Sequence, residues 1–282
     1  KGKIHGMIGR NGSGKTVLFK CICGFLRVDD GAVFVDGKQI GKEIEAPESI
    51  GAIIETPGFL PGYSARQNLQ FLAGIRRKIG KKEIDEAIRK VGLDPEAKKH
   101  VGKYSLGMRQ RLGIAQAIME EPSLLILDEP MTGLDPNQLE EIRHLIKETG
   151  KKKTVLLSTH IMQEVEAICD RVIIINQGKI VADRPIGEIC THADEGMVLR
   201  VEFSPGSDTH WLSKSELFTH TSQQAPNCWR LTSPQGKDPR EALFFEAAVR
   251  RCPIIALHTE VYQLEDIFHR YTQNFPAKPG KD

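Results

Sequence analysis

The segment Gly9-Arg10-Asn11-Gly12-Ser13-Gly14-Lys15-Thr16 lies between an apolar, β-branched run at 3–8 and an apolar helical stretch at 17–25, and it constrains the fold of this chain more than any other feature. It fits Gly-x-x-x-x-Gly-Lys-Thr in the strand-to-helix context that this spacing requires. Glycines let successive backbone N–H groups face an anion with no Cβ in the way, and the dipole of the following helix favours negative charge at that spot. Lys15 can neutralise charge between β- and γ-phosphates, and Thr16 can ligate magnesium. The pattern predicts a nucleotide-phosphate cradle in which Gly9, Arg10, Asn11, Gly12, Ser13, Gly14, Lys15 and Thr16 are the binding residues.

Further runs at 123–127, 154–158 and 172–175 are apolar on consecutive residues, as in strands buried on both faces, and helical patterns separate them. A mostly parallel α/β sheet is expected. The 123–127 run ends on Asp128-Glu129, at the strand end where an open α/β sheet puts its ligand crevice. There Asp128 is placed to hold magnesium, and Glu129 to act as the general base that orients water against the γ-phosphate. The alternative for the acidic pair is an N-cap of the next segment. Asp36-Gly37 between short runs at 32–35 and 38–40 predicts a type I′ hairpin and an antiparallel β flap. Ser64-Ala65-Arg66-Gln67 reads as a capping box opening a helix, and a second helix at 82–91 completes a helical insertion before Ser105.

Thirty-nine basic and 37 acidic residues leave a net charge of +2, so charge gives no case for a nucleic-acid partner. No purely apolar run exceeds four residues, as at 124–127 and 172–175, against the roughly 20 that cross a bilayer. Six cysteines lack zinc spacing and secreted-domain density, which predicts reduced thiols. Twenty-two of 26 glycines lie in 1–190, whereas 191–282 carries both tryptophans and seven of the 15 prolines. This shift predicts a main domain over 1–190 and a small α+β, βαβ-like accessory domain over 191–282. Strands at 197–203, 228–232 and 254–258 and helices at 239–251 and 264–271 are expected in the latter. Gly150 is expected as the C-cap of a helix over 137–149, with Lys151, Lys152 and Lys153 meeting its negative end. The first residue is Lys1 and the phosphate loop begins by Gly9, so an N-terminal segment is expected to precede this sequence.

Tyr104-Ser105-Leu106-Gly107-Met108-Arg109-Gln110-Arg111, Gly133-Leu134-Asp135 and Ser158-Thr159-His160 complete an ordered set with the phosphate loop and the acidic pair. Together they resemble the ATP-binding cassette (ABC) ATPases over 1 to about 185, the first being the signature motif and the second the D-loop. The resemblance implies a P-loop NTPase fold of ABC type, with an antiparallel β flap and a helical subdomain at about 59–110. It implies ATP and Mg2+ as cofactors and two ATP sites shared across a dimer, with the same chain or a close paralogue. Ser105 and Gly107 would close on the nucleotide of the other subunit, and His160 would contact the γ-phosphate and help Glu129 hold water in line.

Glu55 stands where the family usually has Gln, from where it can still reach magnesium or its water, and Leu106 and Met108 replace the usual glycine and glutamine. These departures resemble the bacitracin-resistance and lantibiotic self-protection branch. The implied protein is a cytoplasmic ATPase subunit, peripheral on the inner face of the cell membrane, driving separate integral permease subunits. Residues 56–63 and the helix from Ser64 would form its docking groove. The family's adenine-stacking aromatic would lie in the segment before Lys1. Two other readings stand beside this one: an ATP-dependent sensor with little turnover, suggested by Glu55, Leu106 and Met108, and a non-transport ABC protein, which would carry a second cassette or long coiled-coil arms.

Overall fold

The computed structural model describes residues 2–189, 196–260 and 264–273. They form two compact units that divide between Arg184 and Pro185. The boundary expected at 190/191, and Cys190 with it, lies outside the described residues; Cys21, Cys23, Cys169, Cys228 and Cys252 are free thiols.

In the first unit β1 (Lys3–Ile8) runs through the phosphate loop into α1 (Lys15–Ile22). β2 (Phe34–Val35) and β3 (Lys38–Gln39) make the expected antiparallel hairpin, and its turn residues Asp36 and Gly37 both take positive φ, 49° and 80°. Next come β4 (Ile50–Ile53), α2 (Ala65–Arg76), α3 (Lys81–Lys90), α4 (Leu106–Ile118) and β5 (Leu124–Asp128). α5 (Pro136–Gly150), β6 (Thr154–Ser158), α6 (Met162–Ile168), β7 (Arg171–Asn176) and β8 (Lys179–Pro185) follow. The sheet runs β4-β5-β6-β1-β7-β8, and every pairing from β4 to β7 is parallel. β5 is buried at all its positions, which is why its sequence shows no polar alternation. Because these strands are parallel, the loops after β1, β4, β5 and β6 emerge at one edge of the sheet.

The helical insertion is held by polar clasps. Ser64 and Gln67 close the expected capping box on α2. Arg66 reaches from α2 to Asp85 on α3 (Nε to Oδ1, 2.7 Å) and to Glu96 (2.9 Å), and buried Asn68 bonds both the N–H and the carbonyl of Leu60. α4 lies against β4 and the segment after it at glycines: a Cβ on Gly51 would overlap the Ala117 carbonyl oxygen, and one on Gly113 would meet Pro57 Cγ at 2.6 Å.

Gly150 corrects an expectation. It is the last residue of α5 rather than its cap, which is Lys151 in a right-handed conformation. A Cβ on Gly150 would collide with Ile4 of β1, so close helix-to-strand approach, not a left-handed turn, is what demands glycine there.

The second unit contains α7 (Ile186–Ile189), β9 (Val198–Phe203), β10 (His220–Ala225), β11 (Cys228–Thr232), α8 (Arg240–Val249), β12 (Ile254–Glu260) and α9 (Leu264–Gln273). Its sheet is ordered β10-β11-β9-β12. β11 and β12 are each antiparallel to β9, hence parallel to one another, and α8 makes the crossover between them. Leu199, Val201, Phe203, Trp229, Leu231 and Leu243 form the core, where the Trp229 indole N–H donates to Thr209 Oγ1 at 3.0 Å. β10 was not anticipated: His-Thr-Ser-Gln-Gln-Ala is a polar edge strand with no apolar alternation to betray it. No helix among the described residues is long and apolar enough to cross a membrane.

The Gly51 contact yields a test of how tightly α4 seats on the sheet. Gly51→Ala should destabilise the chain by about 2 to 3 kcal/mol through overpacking, read from the denaturant midpoint of unfolding, whereas Gly74→Ala in α2, where a Cβ meets open space and φ is not positive, should cost nothing or stabilise.

Candidate functional site

At the sheet edge where these loops emerge lies a cavity of about 650 Å³, lined by residues 11–17, Glu55, Thr56, Leu106, Gln110, Asp128, Glu129, Thr132 and His160. Gly12 (φ 77°) and Gly14 (φ 106°, the N-cap of α1) hold left-handed conformations that a side chain would strain. The Ser13 N–H donates to the Arg10 carbonyl, and the Gly178 N–H after β7 donates to the Ser13 carbonyl, both at 3.0 Å, which fixes the loop's curvature. A Cβ on Gly9 would overlap Ser13 Oγ and approach the Ile175 carbonyl oxygen to 2.5 Å. Ser13 Oγ is itself buried and makes no hydrogen bond, a donor held ready inside the loop.

The Lys15 ammonium is held across the loop by the carbonyls of Gly9 (2.6 Å) and Arg10 (3.3 Å). Burial pulls its pKa below the ordinary lysine value, opposed by the nearby carboxylates of Glu129 and Asp128. Asp128, 5% exposed, accepts from Thr16 Oγ1 at 2.7 Å through Oδ2 and from Ser158 Oγ through Oδ1. These hydroxyls compensate a carboxylate that would otherwise be costly to bury. Thr16 and Asp128 thus present paired hard-oxygen donors.

Glu129 takes φ 52°, unusual for a residue with a side chain. Its N–H points at the Ser158 carbonyl and Oγ, each 3.1 Å away, and its carbonyl accepts from Gln110 Nε2 at 3.1 Å. Its Oε2 lies 2.8 Å from His160 Nδ1. An ionised carboxylate only accepts, so Nδ1 carries the proton and donates. The structure therefore brings Lys15, Thr16, Asp128, Glu129 and His160 together around one cavity. The acidic pair does not cap the following helix; Asp135 does, accepting from the Gln138 N–H at 2.9 Å.

Glu55 lines the same cavity at φ 61°, and its Oε1 accepts from Lys20 Nζ at 2.7 Å. Ser105 caps α4, its Oγ accepting from the Met108 N–H at 3.2 Å. Gly107 packs on the loop after β5 and the first turn of α5, where a Cβ would meet the Gly133 carbonyl oxygen at 3.1 Å and Gln138 Oε1 at 2.7 Å. Neither Ser105 nor Gly107 lines the cavity, although Leu106 between them does. Three contributors went unassigned in the sequence: the Ser158 hydroxyl, Gln110 and Glu164. Ser158 had a signal, since it ends the strand that pairs with β5 and its Cα partner is Asp128. Gln110 and Glu164 had none.

Comparison with known proteins bears on this geometry. A family profile described as "ABC transporter" matches residues 1–132. The linearmycin resistance ATP-binding protein LnrL of Bacillus subtilis is 31% identical over 283 residues, an alignment covering 96% of this chain and 90% of that protein. The chain belongs to the ABC transporter ATP-binding proteins. Within this ABC family, the bacitracin transport ATP-binding protein BcrA of Bacillus licheniformis is 43% identical over 192 residues, covering 67% of this chain and 63% of that protein. Bacitracin-transport proteins are thus among its relatives, in the branch that the Glu55, Leu106 and Met108 departures resemble. The solved structure of cbiO1 from Clostridium perfringens, described as part of the ABC transporter complex cbiONQ, is 29% identical with a TM-score of 0.59, covering 67% of this chain and 79% of that one. This ABC chain spans 60 to 63% of the length of BcrA from two species and of a further Bacillus subtilis ATP-binding protein, YdbJ.

Glu164, five residues beyond Thr159, is fully buried, its Oε2 accepting from Thr159 Oγ1 at 3.2 Å. Burial raises its pKa above the ordinary 4.5, opposed by the Thr159 hydrogen bond and by Arg143. An acid with a raised folded-state pKa contributes stability that is present below its unfolded value and is lost as pH rises through the folded one. Glu164→Gln cannot ionise and escapes that loss. Its stability relative to the parent should be greater at pH 8 than at pH 5 in paired denaturation curves; a flat difference would show that Glu164 keeps an ordinary pKa, and a reversed one that its pKa is lowered.

Proposed function

We propose that this chain is the ATP-hydrolysing subunit of an ABC exporter. It works as a dimer with a second such subunit on the inner face of the membrane and drives separate permease subunits that export a peptide antibiotic, drug or similar compound. The convergence of Lys15, Thr16, Asp128, Glu129 and His160 on one cavity carries this reading. The names of its relatives support the class of cargo, since BcrA is a bacitracin transport protein and LnrL a linearmycin resistance protein.

Magnesium suits the pair Thr16 and Asp128. Their oxygens are hard donors 2.7 Å apart, and no group of three or more His, Cys, Asp or Glu gathers among the described residues. An ion that keeps waters and takes phosphate oxygens needs only one or two protein ligands. Bound there, magnesium neutralises charge on the β- and γ-phosphates.

The chain's own groups do the rest. Loop amides and the Ser13 hydroxyl cradle the phosphates, and the Lys15 ammonium exchanges loop carbonyls for phosphate oxygens. The carboxylate of Glu129, held through Oε2 by His160, uses its other oxygen to orient a water and take its proton as the water attacks the γ-phosphorus and the bond to the β–γ bridging oxygen breaks, ADP leaving with that electron pair and inorganic phosphate forming. The Ser105 hydroxyl and the first-turn amides of α4, which have no acceptor within the helix, serve the nucleotide of the second subunit. Glu55, on the loop after β4, borders the cavity next to Thr56 and orders water near the cation. Exposed Leu60, Tyr63, Phe71 and Ile75, with Tyr63 and Phe71 edge to face at 5.0 Å, support residues 56–63 and α2 as the surface that receives a permease helix.

Glu129→Gln should lower steady-state hydrolysis by about 10²- to 10³-fold, in the range for loss of a general base, while ATP-dependent dimers persist on size-exclusion chromatography. Lys15→Ala should lose ATP binding itself. Hydrolysis that survives Glu129→Gln would favour a sensor with another route to slow turnover.

A further inference from the structure

The Glu129 backbone is held in its left-handed conformation from several sides. Its N–H is bonded by Ser158 and its carbonyl receives the Thr132 N–H at 3.3 Å, contacts made within the sheet and within its own loop. The remaining bond comes from elsewhere: Gln110 Nε2 on α4 donates to the same carbonyl at 3.1 Å, from a side chain only 6% exposed. A non-glycine residue at positive φ persists only where its surroundings determine it, so this bond bears on where the Glu129 carboxylate points.

Gln110 lies about one turn beyond Ser105, whose side chain caps the same helix. Within one helical turn the backbone is a rigid unit. The N-terminal turn of α4 is wedged against the loop after β5, since a Cβ on Gly133 would run into Leu106. Further along the helix, Gly113 and Ala117 abut Pro57 and β4. A displacement of the Ser105 end therefore moves Gln110 as a body, and with it the acceptor that Gln110 holds.

We propose that Gln110 is a positioning residue through which the signature helix sets the Glu129 backbone, so that an anion or partner surface engaging the Ser105 end of a subunit tunes hydrolysis at that subunit's own cavity. The proposal rests on Glu129 being the general base. In a dimer where each Ser105 faces the other subunit's nucleotide, it makes the two sites report on each other, and such coupling is reciprocal for binding.

The test compares Gln110→Leu and Gln110→Glu, neither of which can donate when Glu is ionised, with the parent chain. Expected are a fall in kcat of about 10- to 100-fold, the scale of a misplaced catalytic group, a dissociation constant for a fluorescent ATP analogue within twofold of the parent's, and a Hill coefficient for ATP moving toward 1. Unchanged kcat and Hill coefficient in both variants would overturn the proposal, as would a loss of nucleotide affinity and thermal stability in step with kcat, which is what plain packing predicts. Amide hydrogen exchange across residues 129–134 gives a readout free of turnover: Gln110→Leu should exchange several-fold faster there, and identical protection overturns the proposal. If the parent chain hydrolyses no ATP, the ATPase reading fails and exchange still decides the role of Gln110.

Discussion

The buried carboxylate of Asp128 is the constraint on which the rest of the site depends. It ends a strand with no solvent on either face, and a charge there must find donors inside the protein. It finds them in Thr16, at the start of the helix after the phosphate loop, and in Ser158, at the end of the neighbouring strand. One side chain thereby ties together the loops leaving β1, β5 and β6. The same Ser158 also bonds the Glu129 N–H, so the electrostatic demand of one acidic residue fixes the backbone of the next.

Around this anchor close glycine contacts seat α4 and α5. Gly51 and Gly113 let α4 approach the sheet and Pro57, Gly107 and Gly133 let its first turn meet the loop after β5, and Gly150 lets α5 close on β1. These approaches leave little freedom for a helix to slide without disturbing its neighbours, because packed interiors are not continuously deformable. α4 touches the Pro57 segment after Glu55, Gly133 on the loop after β5 and, through Gln110, the carbonyl of Glu129. It is the element through which a contact at the signature motif reaches the chemistry.

Much of the site was legible in the sequence, and for identifiable reasons. The phosphate loop is contiguous, so spacing alone specifies it, and Asp128-Glu129 announces itself as charge at the end of an apolar run. His160 was legible only through family resemblance, and its hydrogen bond to Glu129 joins residues 31 apart. What escaped was either ambiguous or without local signal. Gly150 has two physical uses, a left-handed cap and a close approach, and its neighbours in sequence do not distinguish them. β10 is polar because it lies at a sheet edge. Gln110 is one amide on a helix, and nothing beside it says that it faces Glu129.

By itself the sequence determined the chemistry: which residues can cradle phosphates, hold a hard cation or take a proton, and that they sit at ends of buried strands in a parallel sheet. Local order suffices for that, because strand burial, capping and phosphate loops are encoded over spans of four to eight residues. The tertiary structure alone decided how these groups are held. Ser158 completes the shell of Asp128, Gln110 and Ser158 share the Glu129 backbone, and Lys20 claims an oxygen of Glu55 across 35 residues of sequence. Such pairings follow from strand order and helix seating, which are properties of the whole packed unit, and no window of sequence carries them.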